Sequence, residues 1–163
     1  MDGLELLMLA AFLSASFVAA SAGVIFRPGT WYQRLDKPRW RPPDWLFAPV
    51  WTALYAMIAV SGWLVWREAG FVGASLPLGI FAVQLLLNAA WSPLFFGLHR
   101  MDLALVEIVM LWIAILLTII VFQPISIVAA WLLAPYLAWV TFACGLNFSI
   151  WQRNAVRPVG PAQ

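Results

Sequence analysis

Apolar residues fall in five long runs along this chain, separated by short polar breaks. The runs cover 4–26, 45–66, 76–98, 103–122 and about 128–151. At 1.5 Å per residue each reaches across the roughly 30 Å hydrocarbon core of a bilayer. Helix is the element predicted for each, because only helices and closed barrels satisfy their own backbone in lipid. The pattern therefore predicts an all-α integral membrane protein. It is a five-transmembrane-helix bundle forming one domain over 1–163, without internal repeats. The first run contains Ala19-Ala20-Ser21-Ala22, which looks like a signal-peptide cleavage site. Asp2 and Glu5 precede it without any Lys or Arg, the wrong sign for a signal peptide, and the run is too long for a signal core. All five spans are expected to be retained.

Composition agrees, with 64% hydrophobic residues against 10% charged, where soluble domains carry about 25% charged residues. The charges are sorted by topology. Arg27, Arg34, Lys37, Arg39 and Arg41 lie in the first connection, Arg100 in the third, and Arg153 and Arg157 in the tail; the opposite side holds Arg67 alone. The positive-inside rule then puts the N-terminus outside and the C-terminus in the cytoplasm. A net charge of +2, scattered in this way, does not suit nucleic-acid binding. One Cys and one His exclude an intrachain disulfide and a Cys/His metal site. Cys144 reads as a small packing residue, His99 as a solvated helix end and Asp102 as the N-cap of the fourth helix. Glu107 lies about one and a half turns into the fourth span. It is expected to pair with a loop arginine at the interface, since a proton-coupled carrier would carry more intramembrane charge.

The long connection, 27–44, interleaves bases with Trp31, Tyr32 and Trp40 and is stiffened by proline. Two readings fit this composition equally: an ordered lid over the bundle, or a basic segment lying on anionic lipid.

Side chains three or four residues apart share a helix face. Phe47, Trp51 and Tyr55 form such a stripe on the second span. Gln84, Asn88, Trp91 and Phe95 form one on the third, and Trp131, Pro135, Trp139, Ala143, Asn147 and Trp151 one on the fifth. Polar side chains in a span rarely face lipid, so the stripes are expected to converge on one interior. Trp45, Trp63, Trp66, Trp131 and Trp151 sit near span ends and read as interface-belt residues. Trp139 lies about 18 Å before Trp151, near the midplane, and Trp51 and Trp91 lie about 9–10 Å from their span ends. These three are too deep for a belt. Helix packing explains any one of them, whereas a cavity with flat aromatic walls explains the set. Trp112 is deep too, but without polar company it reads as packing or lipid contact. Pro93 and Pro135 are expected to kink their helices.

A cavity walled by indoles and a few amides beneath a basic lid suits a large, planar, apolar ligand with an anionic edge. Its face would stack on Trp and its carboxylates would pair with Arg. Tetrapyrroles meet both conditions; sterols meet only the apolar one.

Three stretches of the chain carry a family resemblance. The first is Trp31-Tyr32 with Lys37-Pro38-x-Trp40-x-Pro42-Pro43-x-Trp45-x-Phe47-x-Pro49-Val50-Trp51-Thr52-x-Leu54-Tyr55. The second is Asn88-x-x-Trp91-Ser92-Pro93-x-Phe95-Phe96-Gly97, and the third is Pro135-Tyr136-Leu137-x-Trp139 with Leu146-Asn147 and Asn154. Together they resemble the tryptophan-rich sensory protein and translocator protein family (TspO/MBR), which includes the peripheral-type benzodiazepine receptor. The resemblance covers essentially the whole chain. It implies a five-helix fold with a pocket open toward the first loop, binding porphyrin or haem and benzodiazepine-type and isoquinoline drugs. Carried over by motif, Trp51 and Trp139 are the pocket indoles, and Asn88 and Trp40 are wall or lid residues. No cofactor is required, since the porphyrin or haem is ligand. The resemblance also implies a homodimer, for which Ser75-x-x-x-Gly79 allows close helix approach. Animal members carry a sterol motif near the end of the fifth helix; Phe148 stands here in place of its Tyr, so only weak sterol or lipid binding is expected.

The expected ligand site thus comprises Trp31, Trp40, Phe47, Trp51, Tyr55, Asn88, Trp91, Phe95, Trp139, Ala143 and Asn147. The leading function is tetrapyrrole binding with a sensory, regulatory or trafficking role. The alternatives are light-dependent porphyrin degradation at Trp51 and Trp139, which needs no acid–base residues, and a carrier of lipids or tetrapyrroles. The expected membrane is the bacterial inner membrane, with the mitochondrial outer membrane as the alternative.

Overall fold

The computed structural model describes residues 2–155. Its elements are α1 (Gly3–Ile25), α2 (Thr30–Arg34), α3 (Asp44–Gly73), α4 (Ser75–Ser92), a π-helical turn (Pro93–Gly97), α5 (Met101–Phe122), α6 (Ile127–Leu132) and α7 (Ala134–Ala155). Among the described residues, α1, α3, α4 with its π turn, α5, and α6 with α7 are the five segments long and apolar enough to span a membrane.

Local chemistry explains the helix ends. Asp2 and Glu5 form a capping box at the start of α1: Glu5 N–H donates to Asp2 Oδ1 at 2.7 Å, and Asp2 N–H to Glu5 Oε2 at 3.3 Å. Pro43 caps α3, where a missing N–H costs nothing. Gly70, at φ 66° and ψ 178°, breaks α3 in a region only glycine adopts easily, and the chain turns there toward α4. Pro93 removes a backbone donor and widens the winding: Leu98 N–H reaches back to the Pro93 carbonyl at 2.8 Å. Pro135 follows the break at Leu133 that separates α6 from α7. The fourth spanning helix starts at Met101, so Arg100 is its N-cap. Asp102 is therefore not the cap; it lies in the first turn and binds Arg100 through two hydrogen bonds of 2.9 and 2.7 Å.

The spans form a ring. α1 packs on α3 and α4, α4 on α5, α5 on α7, and α6 closes back onto α3 at the far end. Between α3 and α7 themselves contact is slight, so the ring has one loose seam. Polarity is inverted relative to a soluble protein. Leu6, Leu7, Phe17, Val18, Leu86, Val106 and Ile120 stand exposed, while Gln84, Asn88, Glu107, Thr118 and Asn147 are buried. An exterior of this kind fits hydrocarbon, which is why the polar groups turn inward. α1, α3 and α4 meet closely at Gly62, where an added Cβ would lie 2.8 Å from the Phe81 ring and 2.9 Å from that of Phe12.

Two indoles differ from their expected places. Trp63 is buried, donating Nε1–H to the Glu5 carbonyl at 3.1 Å with Arg67 over its ring, so it joins α3 to α1 rather than serving a headgroup belt. Trp112 does have a polar partner: its Nε1–H donates to Thr141 Oγ1 at 2.8 Å, across to α7.

The connection between α1 and α3 is pinned down. Tyr32 is buried with its ring edge-on to Phe95 and Phe96. Lys37 Nζ donates to the Tyr32, Leu35 and Gln33 carbonyls and lies 4.7 Å above the Tyr32 ring, capping the C-terminal end of α2. Burial holds the Tyr32 phenol above its usual pKa, with the Arg41 hydrogen bond pulling the other way, and burial also lowers that of the Lys37 amine. Asp36 and Asn154 exchange two backbone–amide hydrogen bonds of 3.0 Å each, tying the loop to the end of α7. Arg153 adds a contact of 3.5 Å to Asp36. Arg157 lies outside the described residues.

Gly62→Val should drive its neighbours' rings apart and cost about 1–3 kcal/mol as overpacking, read as a lower apparent Tm in detergent. Gly145→Ala, with open space at the Cβ, should leave Tm unchanged or raise it. Asn154→Ala removes both ties to Asp36 and should speed amide exchange over residues 30–36 by about tenfold, as expected for roughly 1–2 kcal/mol, with little change in the spans.

Candidate ligand-binding site

Nine of the eleven residues expected at one cavity fall into three groups, and Ala143 and Asn147 stand outside them. The first is a polar knot in the bundle interior. Tyr55 on α3 donates its hydroxyl hydrogen to Asn88 Oδ1 on α4 in a very short hydrogen bond. Asn88 Nδ2–H donates to the Tyr136 hydroxyl on α7 at 2.6 Å. Trp51 lies against this knot, its ring 5.4 Å from Tyr55 and 6.2 Å from Tyr136 between centroids. One amide thereby links three spans.

The second group supports the loop rather than lining a cavity. Trp91 stacks on Phe95 at 4.9 Å, and Phe95 meets Trp31 edge-on at 5.9 Å. Trp31 in turn stacks on His99 at 4.2 Å, so His99 is exposed yet covered on one ring face. The π turn presents Phe95 and Phe96 together to α2, and this explains why these rings are spent on each other.

The third group reaches open space through Trp139. Trp139 meets Phe47 edge-on and Phe142 at a tilt, both at 5.7 Å, and Phe142 meets Trp40 from the loop at 5.5 Å. Trp139 and Phe142 form one wall of a groove of about 600 Å³ along the α3–α7 seam. Pro42, Val50, Ala53, Leu54, Met57, Pro135 and Ala138 complete it. Trp40, 52% exposed, leans on Phe142 where the loop meets this wall. Arg39 beside it and Arg34 are exposed and make no ion pair among the described residues, whereas Arg41 is held by Asp44. Ala143 is half-buried in the main core, and Asn147 is 2% exposed with neither amide atom bonded.

The stripes therefore do not enclose a single chamber. The seam forms an open, apolar groove, and the amides lie one layer behind it. Leu54 and Pro135 line the groove, while their chain neighbours Tyr55 and Tyr136 make the knot. Glu107 also differs from expectation: it is 3% exposed, and both carboxyl oxygens lack a hydrogen-bond partner. No loop arginine reaches it among the described residues; Arg100 pairs with Asp102 and Arg153 with Asp36. Tyr136 stands in one of the motifs but falls one position off the stripe containing Trp139, and so was not expected at the site. Phe142, three residues beyond Trp139, was not expected either, because that stripe advances in steps of four. Among the described residues no cluster of His, Cys, Asp and Glu could hold a metal ion.

Residues 6–152 match the model of the TspO/MBR family. The chain is 37% identical to Protein CrtK of Rhodobacter capsulatus, over 93% of this chain and 95% of that one. It is 42% identical to the Translocator protein of Bos taurus, over 93% and 88%. To the Tryptophan-rich protein TspO of Chlorobaculum tepidum it is 43% identical, over 92% and 98%. With a five-span ring, a match across nearly all of its length and relatives of this similarity, the chain belongs to the TspO/MBR family.

Proposed function

We propose that this membrane protein binds tetrapyrroles, porphyrin or haem, in the α3–α7 groove, in a sensory or trafficking role. The observation that carries the reading is the groove itself: a wall of Trp139 and Phe142, an otherwise apolar lining, and Trp40 with the unpaired Arg39 beside it. A flat macrocycle would gain stacking on the wall, and its carboxylates would lie toward Arg39. The loop, His99 and the end of α7 share one end of the bundle through Trp31–His99 and Asp36–Asn154. We assign that basic end to the cytoplasm, with the N-terminus outside, by the positive-inside rule. Sterols are a poorer fit, since Phe148 offers an exposed ring without a hydroxyl.

Titrating protoporphyrin into the detergent-solubilised protein should quench tryptophan fluorescence saturably. Trp139→Ala should weaken binding about tenfold, the ratio set by about 1.4 kcal/mol. Arg39→Gln should weaken it less, by about two- to fivefold, and only at low salt. The dimethyl ester, which lacks the carboxylates, should not sense Arg39→Gln. Unchanged affinity in Trp139→Ala would defeat the assignment.

A further inference from the structure

Behind the groove wall lies a set of buried polar atoms that the fold leaves without partners. Glu107 on α5, Asn147 on α7 and the Trp91 indole nitrogen on α4 are all among them. Glu107 is 3% exposed and Asn147 2%. They lie at similar depths. Trp91 and Glu107 are each six residues, about 9 Å, inside the loop end of their spans. The Cys144 thiol lies 3.7 Å from the Ile108 carbonyl, which sets the α7 stretch before Asn147 against the α5 turn containing Glu107. A carboxyl group in the core of a membrane bundle stays costly until a donor or cation meets it. The protein supplies neither: among the described residues its Lys and Arg side chains lie at the two ends, and no hydrogen bond reaches either carboxyl oxygen.

We infer that Glu107, with Asn147 on the facing stretch of α7, is an inner subsite that receives a hydrogen-bond-donating nitrogen, an ammonium or an N–H edge, from a flat ligand entering through the α3–α7 seam. This rests on the groove taking a flat apolar ligand and extends it inward. At the seam, Leu54 and Pro135 line the groove and their chain neighbours Tyr55 and Tyr136 lie in the knot. Pro49 within α3 and the break before Pro135 give both sides of the seam a place to yield. Polarity then runs in opposite senses along one ligand: its anionic edge lies under the loop arginines, and its donor edge points to the interior carboxylate. Such a site would separate ligands by where their charges sit, at little cost to their shared apolar face.

The test uses three pyrenes that share one flat face, with binding read by energy transfer from tryptophan in a neutral detergent. They are 1-pyrenemethylammonium, 1-methylpyrene and 1-pyrenebutyrate. The wild-type protein should bind the ammonium about tenfold more tightly than the methyl compound. Glu107→Gln, nearly equal in size, should abolish that preference and leave 1-methylpyrene within twofold of wild type. Asn147→Leu provides a second arm should the Gln variant fail to fold, and it should reduce the preference at least threefold. Equal affinities for ammonium and methyl probes in the wild type would overturn the inference. So would an undiminished preference in either folded variant, or an equal loss for both probes. Trp139→Ala should weaken all three probes. If it weakens none, the groove reading fails, and the ammonium–methyl contrast still reports on Glu107 independently. 1-Pyrenebutyrate should respond to Arg39→Gln and not to Glu107→Gln, which keeps the two ends of the site apart.

Discussion

Hydrocarbon offers no hydrogen-bond partner, and this constraint orders the whole molecule. Each polar side chain in a span must turn inward, find a partner on another span, or remain unbonded. Asn88 is the clearest solution: its carbonyl oxygen takes the Tyr55 hydroxyl and its amide hydrogen goes to Tyr136, so one short side chain bonds three helices. Ser61 does the same on a smaller scale, donating to the Ala129 carbonyl at 2.8 Å and holding α3 to α6. Thr118 satisfies itself within its own helix, on the Ala114 carbonyl. Because lipid does not drive spans together, such bonds and the close approach at Gly62 carry an unusual share of the specificity.

The same constraint decides how much of the fold is legible in the sequence. Five spans were legible because a run of twenty apolar residues has few other uses, and their bounds shift only by a few residues except at Gly70 and the two proline breaks. Inward orientation of Gln84, Asn88 and Asn147 followed from polarity alone. Which aromatic would face which was not legible. Trp91 and Trp139 stand on similar stripes, but the π turn after Ser92 turns Phe95 and Phe96 toward α2, and Trp91 joins them in the loop support. Trp63 has the depth of a belt residue, yet its indole finds the Glu5 carbonyl. Glu107 has the distance along its helix to meet a loop arginine, yet it is 3% exposed and neither carboxyl oxygen is bonded. Pairing across spans depends on the order of helices around the ring, and periodicity within one helix carries no trace of that order.

Two kinds of packing meet at the α3–α7 seam. On the loop side, Tyr32, Lys37, Asp36 and Asn154 make a polar clasp whose bonds are individually modest. On the far side, α6 rests on α3. Between them the two long helices diverge, leaving aromatic surface that neither end covers. A bundle built in this way is bonded at its ends and open along its flank.

The π turn at Pro93–Gly97 also sets the direction in which the chain leaves α4. It takes about one residue more per turn than the helix it interrupts, and each residue of an α-helix rotates the next by about 100°. Deleting a single residue between 93 and 97 would let the winding become regular, yet it would swing Phe96 off Tyr32 and His99 off Trp31. The chain length of this short segment is therefore set by angle rather than by reach, and insertions or deletions here would misaim the loop without shortening any span.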